Sequence, residues 1–188
     1  MIEGLSPQLD RISTGVLSGA EIRERAAGHP PLVSDAPMLE HQIQPNGLDL
    51  TLRDVSHFTG PGKVAVSNSE RRLPGLEPLP FDHNGDLHLE PGPYHIIFNE
   101  VVNLPLDVMA LGRPRSSLAR CGVAIHTAVW DAGYHGRSTS LLVVANPAGF
   151  SVSRNARVLQ LIFLTLSRAA GEGYQGAYQG ENLGPPRE

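Results

Sequence analysis

Apolar and polar positions alternate with a period of two along most of this chain. The segments LDLTLRDVSHF (48–58), PYHIIFN (93–99), VMALG (108–112), STSLLVVAN (138–146) and RVLQLIFLTL (157–166) are short, rich in β-branched residues and separated by Pro and Gly, which predicts strands. One stretch departs from that period. Ser18 followed by Glu21 forms a capping box, with Leu17 and Ile22 placed as a hydrophobic staple, and this predicts a short helix through EIRERAA that stops near Gly28 and Pro30–Pro31. No second long helix is evident. Many short strands joined by turns, with 20 Gly and 16 Pro to make them, predict an all-β barrel or sandwich with a minor helix. Residues 1–170 read as a single domain. Residues 171–188, GEGYQGAYQGENLGPPRE, are glycine-rich and polar and read as a mobile tail.

Composition narrows the class. At 188 residues and 40% apolar, the chain can bury a core and is neither disordered nor membranous. No apolar run approaches the roughly 20 residues of a membrane span, and MIEGLSPQLD lacks the pattern of a signal peptide. The single cysteine, Cys121, excludes an intramolecular disulfide and fits a reducing cytoplasm. A net charge of −4 argues against a nucleic-acid partner. Its distribution says more: residues 108–171 carry seven Arg and one Asp, a balance of +6, so the rest carries −10. That polarity favours a local site for a small polyanion, although Arg154, Arg157 and Arg168 fit a solvated or ion-paired role equally well.

Two stretches could carry chemistry. In RPRSSLARCG (113–122), Ser116 and Ser117 lie between Arg115 and Arg120. Arginine forks match phosphate oxygens, and a helical turn opening at Ser116 would add hydroxyl and backbone donors. An ordinary capped turn with an exposed arginine fits the same pattern. In HTAVWDAGYHG (126–136), the apolar Thr127–Trp130 run ends at Asp131 in a turn carrying Gly133 and Gly136. Such a hairpin offers backbone groups to a planar base beside a carboxylate, while an aspartate capping its own turn is the commoner fate. Gln160 is the strongly polar residue of VLQLIFLTL and needs partners if buried. Trp130 suits packing better than base stacking. His126 and His135 make no metal spacing. DHNGDLHLE (82–90) fails the calcium-loop pattern and is better explained by an Asn84–Gly85 hairpin turn.

RSSLARCGV, AVWDAGYHG, VLQLIF and YQGAYQG in that order, preceded by QPNGLDLTL (44–52) and LEPGPYHIIFNEVVNLPLDVMALG (89–112), resemble the dUTPase and dCTP deaminase superfamily over residues 15–182. The resemblance implies a distorted jelly-roll barrel, a homotrimer with active sites between subunits, and a deoxynucleoside triphosphate bound with Mg2+. It implies that Arg115, Ser116, Ser117 and Arg120 hold phosphates. Asp131 would face the sugar 3′-hydroxyl and position water, and the backbone of Thr127, Ala128, Val129 and Trp130 would read the base. Tyr134 would stack on the deoxyribose, while Gln160, Tyr174, Tyr178 and Gln179 would close over the triphosphate. In the deaminases a proton-shuttling glutamate lies ten residues after the aspartate; here that position is Leu141, which cannot transfer a proton. Ala177 replaces a lysine common in deaminase tails. The expected activity is therefore hydrolysis of dUTP to dUMP and pyrophosphate. The alternatives are dCTP deamination, alone or combined with dUTP hydrolysis, and nucleotide binding without catalysis.

Overall fold

The structure is a computed structural model describing residues 15–184. The expectations for residues 1–14 and 185–188 lie outside it. The elements run α1 (Gly19–Ala26), β1 (Val33–Ser34), α2 (Leu39–Gln42), β2 (Ile43–Gln44), β3 (Gly47–Thr59), β4 (Gly75–Pro78), β5 (Asp86–Leu89), β6 (Gly92–Phe98), β7 (Val101–Asn103) and β8 (Val108–Pro114). They continue with α3 (Ser116–Arg120), β9 (Val123–His126), β10 (Val129–Trp130), β11 (His135–Gly136), β12 (Thr139–Val144), β13 (Phe150–Ser153) and β14 (Arg157–Thr165).

The main sheet is a path β10-β8-β14-β3-β6-β12-β9, with β2 and β4 also paired to β3. Smaller sheets β1-β7-β11 and β13-β5 complete it. The 13-residue β3 produces the curl. Its first half pairs β14, from Leu48↔Leu161 to Thr51↔Arg157, and its second half pairs β6, from Leu52↔Phe98 to Ser56↔His95. An irregularity in each ladder, between Arg157 and Leu159 and between Leu52 and Asp54, lets the strand bend between partners. All-β architecture, expected from the period-two pattern, is thus what forms. Leu48, Leu50, Leu52, Ile96, Phe98, Leu142, Leu159, Leu161 and Phe163 are fully buried inside the curl.

The helix starts where its cap predicts. The Ser18 hydroxyl accepts from the Glu21 amide, and the Glu21 carboxylate accepts from the Ser18 amide at 2.8 Å. Ile22 is its buried residue. Two turn expectations are corrected. Asn84–Gly85 sits in a tight turn in which Asp82 Oδ1 accepts from the Asn84 and Asp86 amides, but the turn joins no hairpin, because β5 pairs β13 sixty residues on. The segment around Asp131 is not a hairpin either. β10 pairs β8 while β11 pairs β7, so the chain crosses there from one sheet to another.

The alternation along β3 also conceals a difference. Leu48, Leu50 and Leu52 are buried as expected, but so are Asp49, Thr51 and Arg53 between them. Each polar residue has a partner. Asp49 meets Arg115 and Arg157, Thr51 meets Glu100, and Arg53 meets Asp54. Glu100 is itself fully buried, accepting from Gln42 Nε2 at 2.7 Å, Thr51 Oγ1 at 2.6 Å and the Thr51 amide at 2.9 Å.

Candidate functional site

A cavity of about 430 Å³ lies where β10, β11 and β12 approach the C-terminal segment. Ala128, Val129, Trp130, Asp131, Tyr134, Tyr174 and Tyr178, all singled out from the sequence, line it. β10 is the terminal strand of the main sheet and among the described residues pairs only with β8, so its other edge presents backbone donors and acceptors free of strand partners beside the cavity. Trp130 is 4% exposed, and its indole N–H is buried without a partner among the described residues. Asp131 is exposed at the end of this strand; its carbonyl accepts from the Tyr134 amide, which tightens the turn. Thr127 stands half-buried next to the lining residues without joining them.

The C-terminal segment folds back over this turn. The Tyr174 amide donates to the Ala132 carbonyl at 2.8 Å, and the two tyrosine rings, Tyr134 and Tyr174, meet edge-on at 5.9 Å. Gln179 clamps the turn from both sides: Oε1 accepts from the His135 amide and Nε2 donates to the Gly133 carbonyl, each at 3.0 Å. Gly133 has φ +83°, and a Cβ there would sit 2.5 Å from the Gly173 backbone, so only glycine allows both the turn and the crossing segment. Glu181, not anticipated from the sequence, also lines the cavity. Its Oε1 accepts from the Tyr134 hydroxyl at 2.9 Å. Burial raises the Glu181 carboxyl above the usual range, and burial beside that carboxylate raises the Tyr134 phenol as well.

The other expected residues gather elsewhere. α3 forms as the Ser-Ser motif implies, with Arg120 Nη1 on the Ser116 carbonyl at 3.0 Å and Ser116, Ser117 and Arg120 all exposed. Arg115, just before α3, turns to Asp49: its Nε lies 3.1 Å from Asp49 Oδ2, with Arg157 Nη1 at 3.4 Å from the same oxygen. Asp49 is 1% exposed; burial pulls its carboxyl upward, and the two guanidiniums oppose that. Gln160, half-buried, sits on this face between Arg113 on β8 and Asp49 on β3. None of Arg115, Ser116, Ser117, Arg120 and Gln160 lines the cavity of Asp131. The arginine excess of residues 108–171 is therefore divided among several places rather than focused in one pocket.

Leu141 occupies the middle of β12, half-buried, with His95 and His126 as its cross-strand neighbours. No carboxylate stands in its row. Among the described residues, no group of three or more His, Cys, Asp or Glu could hold a metal ion by itself. None of the described helices is long and apolar enough to cross a membrane.

With curled sheet, edge strand and aspartate turn in place, comparison with known proteins gives the class. The family model described as dCTP deaminase-like matches residues 16–166, and the chain belongs to that family. Within it, the chain is 52% identical over 167 residues to a probable deoxyuridine 5′-triphosphate nucleotidohydrolase of Methanosarcina mazei, covering 89% of this chain and 98% of that one. It is 50% identical over 168 residues to the protein of the same description from Archaeoglobus fulgidus, again covering 89% and 98%. Among solved structures, the 2′-deoxycytidine 5′-triphosphate deaminase of Agrobacterium tumefaciens superposes with a TM-score of 0.61 at 26% identity, over 81% of this chain and 48% of that one.

Proposed function

We propose that this protein is a dUTP diphosphatase: water attacks the α-phosphorus of dUTP, the α–β phosphoanhydride bond breaks, and dUMP and pyrophosphate leave. The observation that carries this reading is the pairing of Asp131, exposed at the cavity, with Leu141 where deaminase chemistry would need a proton carrier. Half the sequence is shared, over nearly the full length, with proteins described as dUTP nucleotidohydrolases, which supports the same choice.

In this reading the base lies along the free edge of β10. Uracil presents a carbonyl at C4 and an N3 proton, whereas cytosine presents an amino group and a bare N3. An edge that pairs with one leaves buried groups unpaired with the other. Tyr134 packs against the deoxyribose, and Asp131 orients the water and accepts its proton. The segment bearing Tyr174, Tyr178 and Gln179 covers the nucleotide and excludes solvent. Magnesium, held mainly by the triphosphate oxygens and water rather than directly by side chains, fits a site of this kind, since that ion keeps several waters and binds with substrate phosphates. When bound, it would neutralise charge on the triphosphate oxygens.

The phosphate-binding residues would come from a second chain. Arg115, Ser116, Ser117 and Arg120 lie outside the cavity, so a site that uses both sets is formed between copies, as in a homotrimer. We place the enzyme in the cytoplasm, where an exposed free Cys121 stays reduced.

The test is incubation with magnesium and either dUTP or dCTP in 18O-labelled water. The expected result is labelled dUMP from dUTP with dCTP unchanged. Label in pyrophosphate would move the attack to the β-phosphorus, and dUTP or dUMP from dCTP would restore the deaminase reading.

A further inference from the structure

A second cavity, of about 440 Å³, is walled by Arg53, Arg137 and Arg154 with Asp35, Asn99 and Asn155, and bordered by Leu183 and Gly184. Arg53 and Arg137 are 8% and 7% exposed. Two guanidiniums so deeply covered are costly unless each finds a partner. Arg137 finds some: Nη2 lies 2.7 Å from Asp35 Oδ2, and Nε donates to the Asn182 carbonyl at 3.1 Å. Arg53 does not. Its contact is Nε to Asp54 Oδ2 at 3.3 Å, and neither of its terminal nitrogens has a hydrogen bond among the described residues. Arg154, exposed and held over the Phe81 ring at 4.7 Å, adds a third guanidinium with no ion pair among the described residues. Burial, and then repulsion from Arg137, lowers the Arg53 pKa, as expected for a cation packed against a cation.

We propose that this cavity binds a small phosphate anion, of pyrophosphate size, apart from the nucleotide site. Planar guanidinium forks match phosphate oxygens, and the terminal nitrogens of Arg53, which make no hydrogen bond among the described residues, are donors available to the cavity. Three guanidiniums face one lining carboxylate, Asp35. No aromatic side chain lines the cavity to stack a base, which favours the inorganic anion over a nucleotide. The choice of pyrophosphate among phosphate anions rests on the reaction proposed above.

The position also links the anion to the covering segment. The Arg137 amide donates to the Glu181 carbonyl at 2.9 Å, and Asn182 Nδ2 donates to the Arg137 carbonyl at 2.9 Å. The residue that meets the anion therefore holds the stretch that covers Tyr134. An occupied cavity neutralises the Arg53–Arg137 repulsion and stabilises that docking.

The test is calorimetric titration of pyrophosphate into the full chain saturated with the non-hydrolysable α,β-imido analogue of dUTP. The expected result is one pyrophosphate per chain, with affinity weakened about tenfold or more in both Arg53→Gln and Arg154→Gln. The second of these is an exposed position whose replacement leaves the fold intact. Analogue-saturated protein that takes up no pyrophosphate, or takes it up equally in both variants, overturns the proposal. Pyrophosphate binding that the analogue abolishes assigns the anion to the catalytic site and overturns it too. If the analogue fails to bind while both variants still lose pyrophosphate, the anion site stands and the dUTP reading falls.

Discussion

Two aspartates divide the work expected of single residues. Asp131 is exposed at the cavity and has no ion-pair partner among the described residues, so it is free to meet water and sugar. Replacing it by Asn keeps the shape and removes the proposed base. We expect kcat for dUTP to fall by about 10²–10⁴-fold, while the α,β-imido analogue binds as before; steady-state rates and titration read the two separately. A variant that turns over normally would mean the water is activated elsewhere. Asp49 acts at second hand. It is buried and holds Arg115 and Arg157 by one oxygen, so Asp49→Asn leaves two guanidiniums facing each other without a counter-charge. A displaced Arg115 should lower kcat/KM by about 10–100-fold. The discriminating measurement is the double variant: Asp49→Asn with Arg115→Ala should lose no more activity than Arg115→Ala alone. Additive losses would show that Asp49 does not act through Arg115.

At the scale of elements, the docked C-terminal segment carries a pH dependence. Glu181 has its carboxyl raised by burial, which outweighs the opposing hydrogen bond from the Tyr134 hydroxyl. A carboxyl raised in the docked state binds its proton more tightly there than when released. Its contribution to docking is therefore full below the ordinary carboxyl pKa and fades as pH rises through the elevated value. Proteolysis within residues 171–184 should accordingly speed up as pH rises through that window, and Glu181→Gln should flatten the response; an unchanged pH profile in the variant would exclude Glu181 as its source. The elements themselves were legible to different degrees. Long strands such as β14 and the capped α1 follow from periodicity and a two-residue signature, because their own residues decide them. The short β5, β7, β11 and β13 do not, since each is held by a partner far along the chain. The site follows the same division. Asp131, Tyr134 and the RSSLAR turn are written in local motifs, whereas Glu181 gains its place only by docking and Asp49 only by the arginines that fold onto it. A carboxylate between leucines in a strand was the available signal, since a buried charge requires a counter-charge. Residues 171–184 lie against the turn, where Gly133 lets the chain cross and Gln179 bonds both sides.

For the whole molecule, the decisive fact is a separation. The cavity of Asp131 and the exposed face of α3 do not share a lining residue, although the proposed chemistry needs both. The proposed symmetric assembly would resolve this by apposing one copy's α3 to another's cavity, each site then drawing Asp131 and Arg120 from different chains. Neither Asp131→Asn nor Arg120→Ala alone should hydrolyse dUTP at an appreciable rate. Mixed by dissociation and reassembly in equal amounts, they should regain activity, because a site is intact whenever its cavity comes from the Arg120→Ala chain and its α3 from the Asp131→Asn chain. Each condition holds half the time, so random assortment restores about one quarter of wild-type activity. A mixture as inactive as its components would place both residues in one chain's site, and α3 would then have to reach the cavity by a rearrangement of the single subunit.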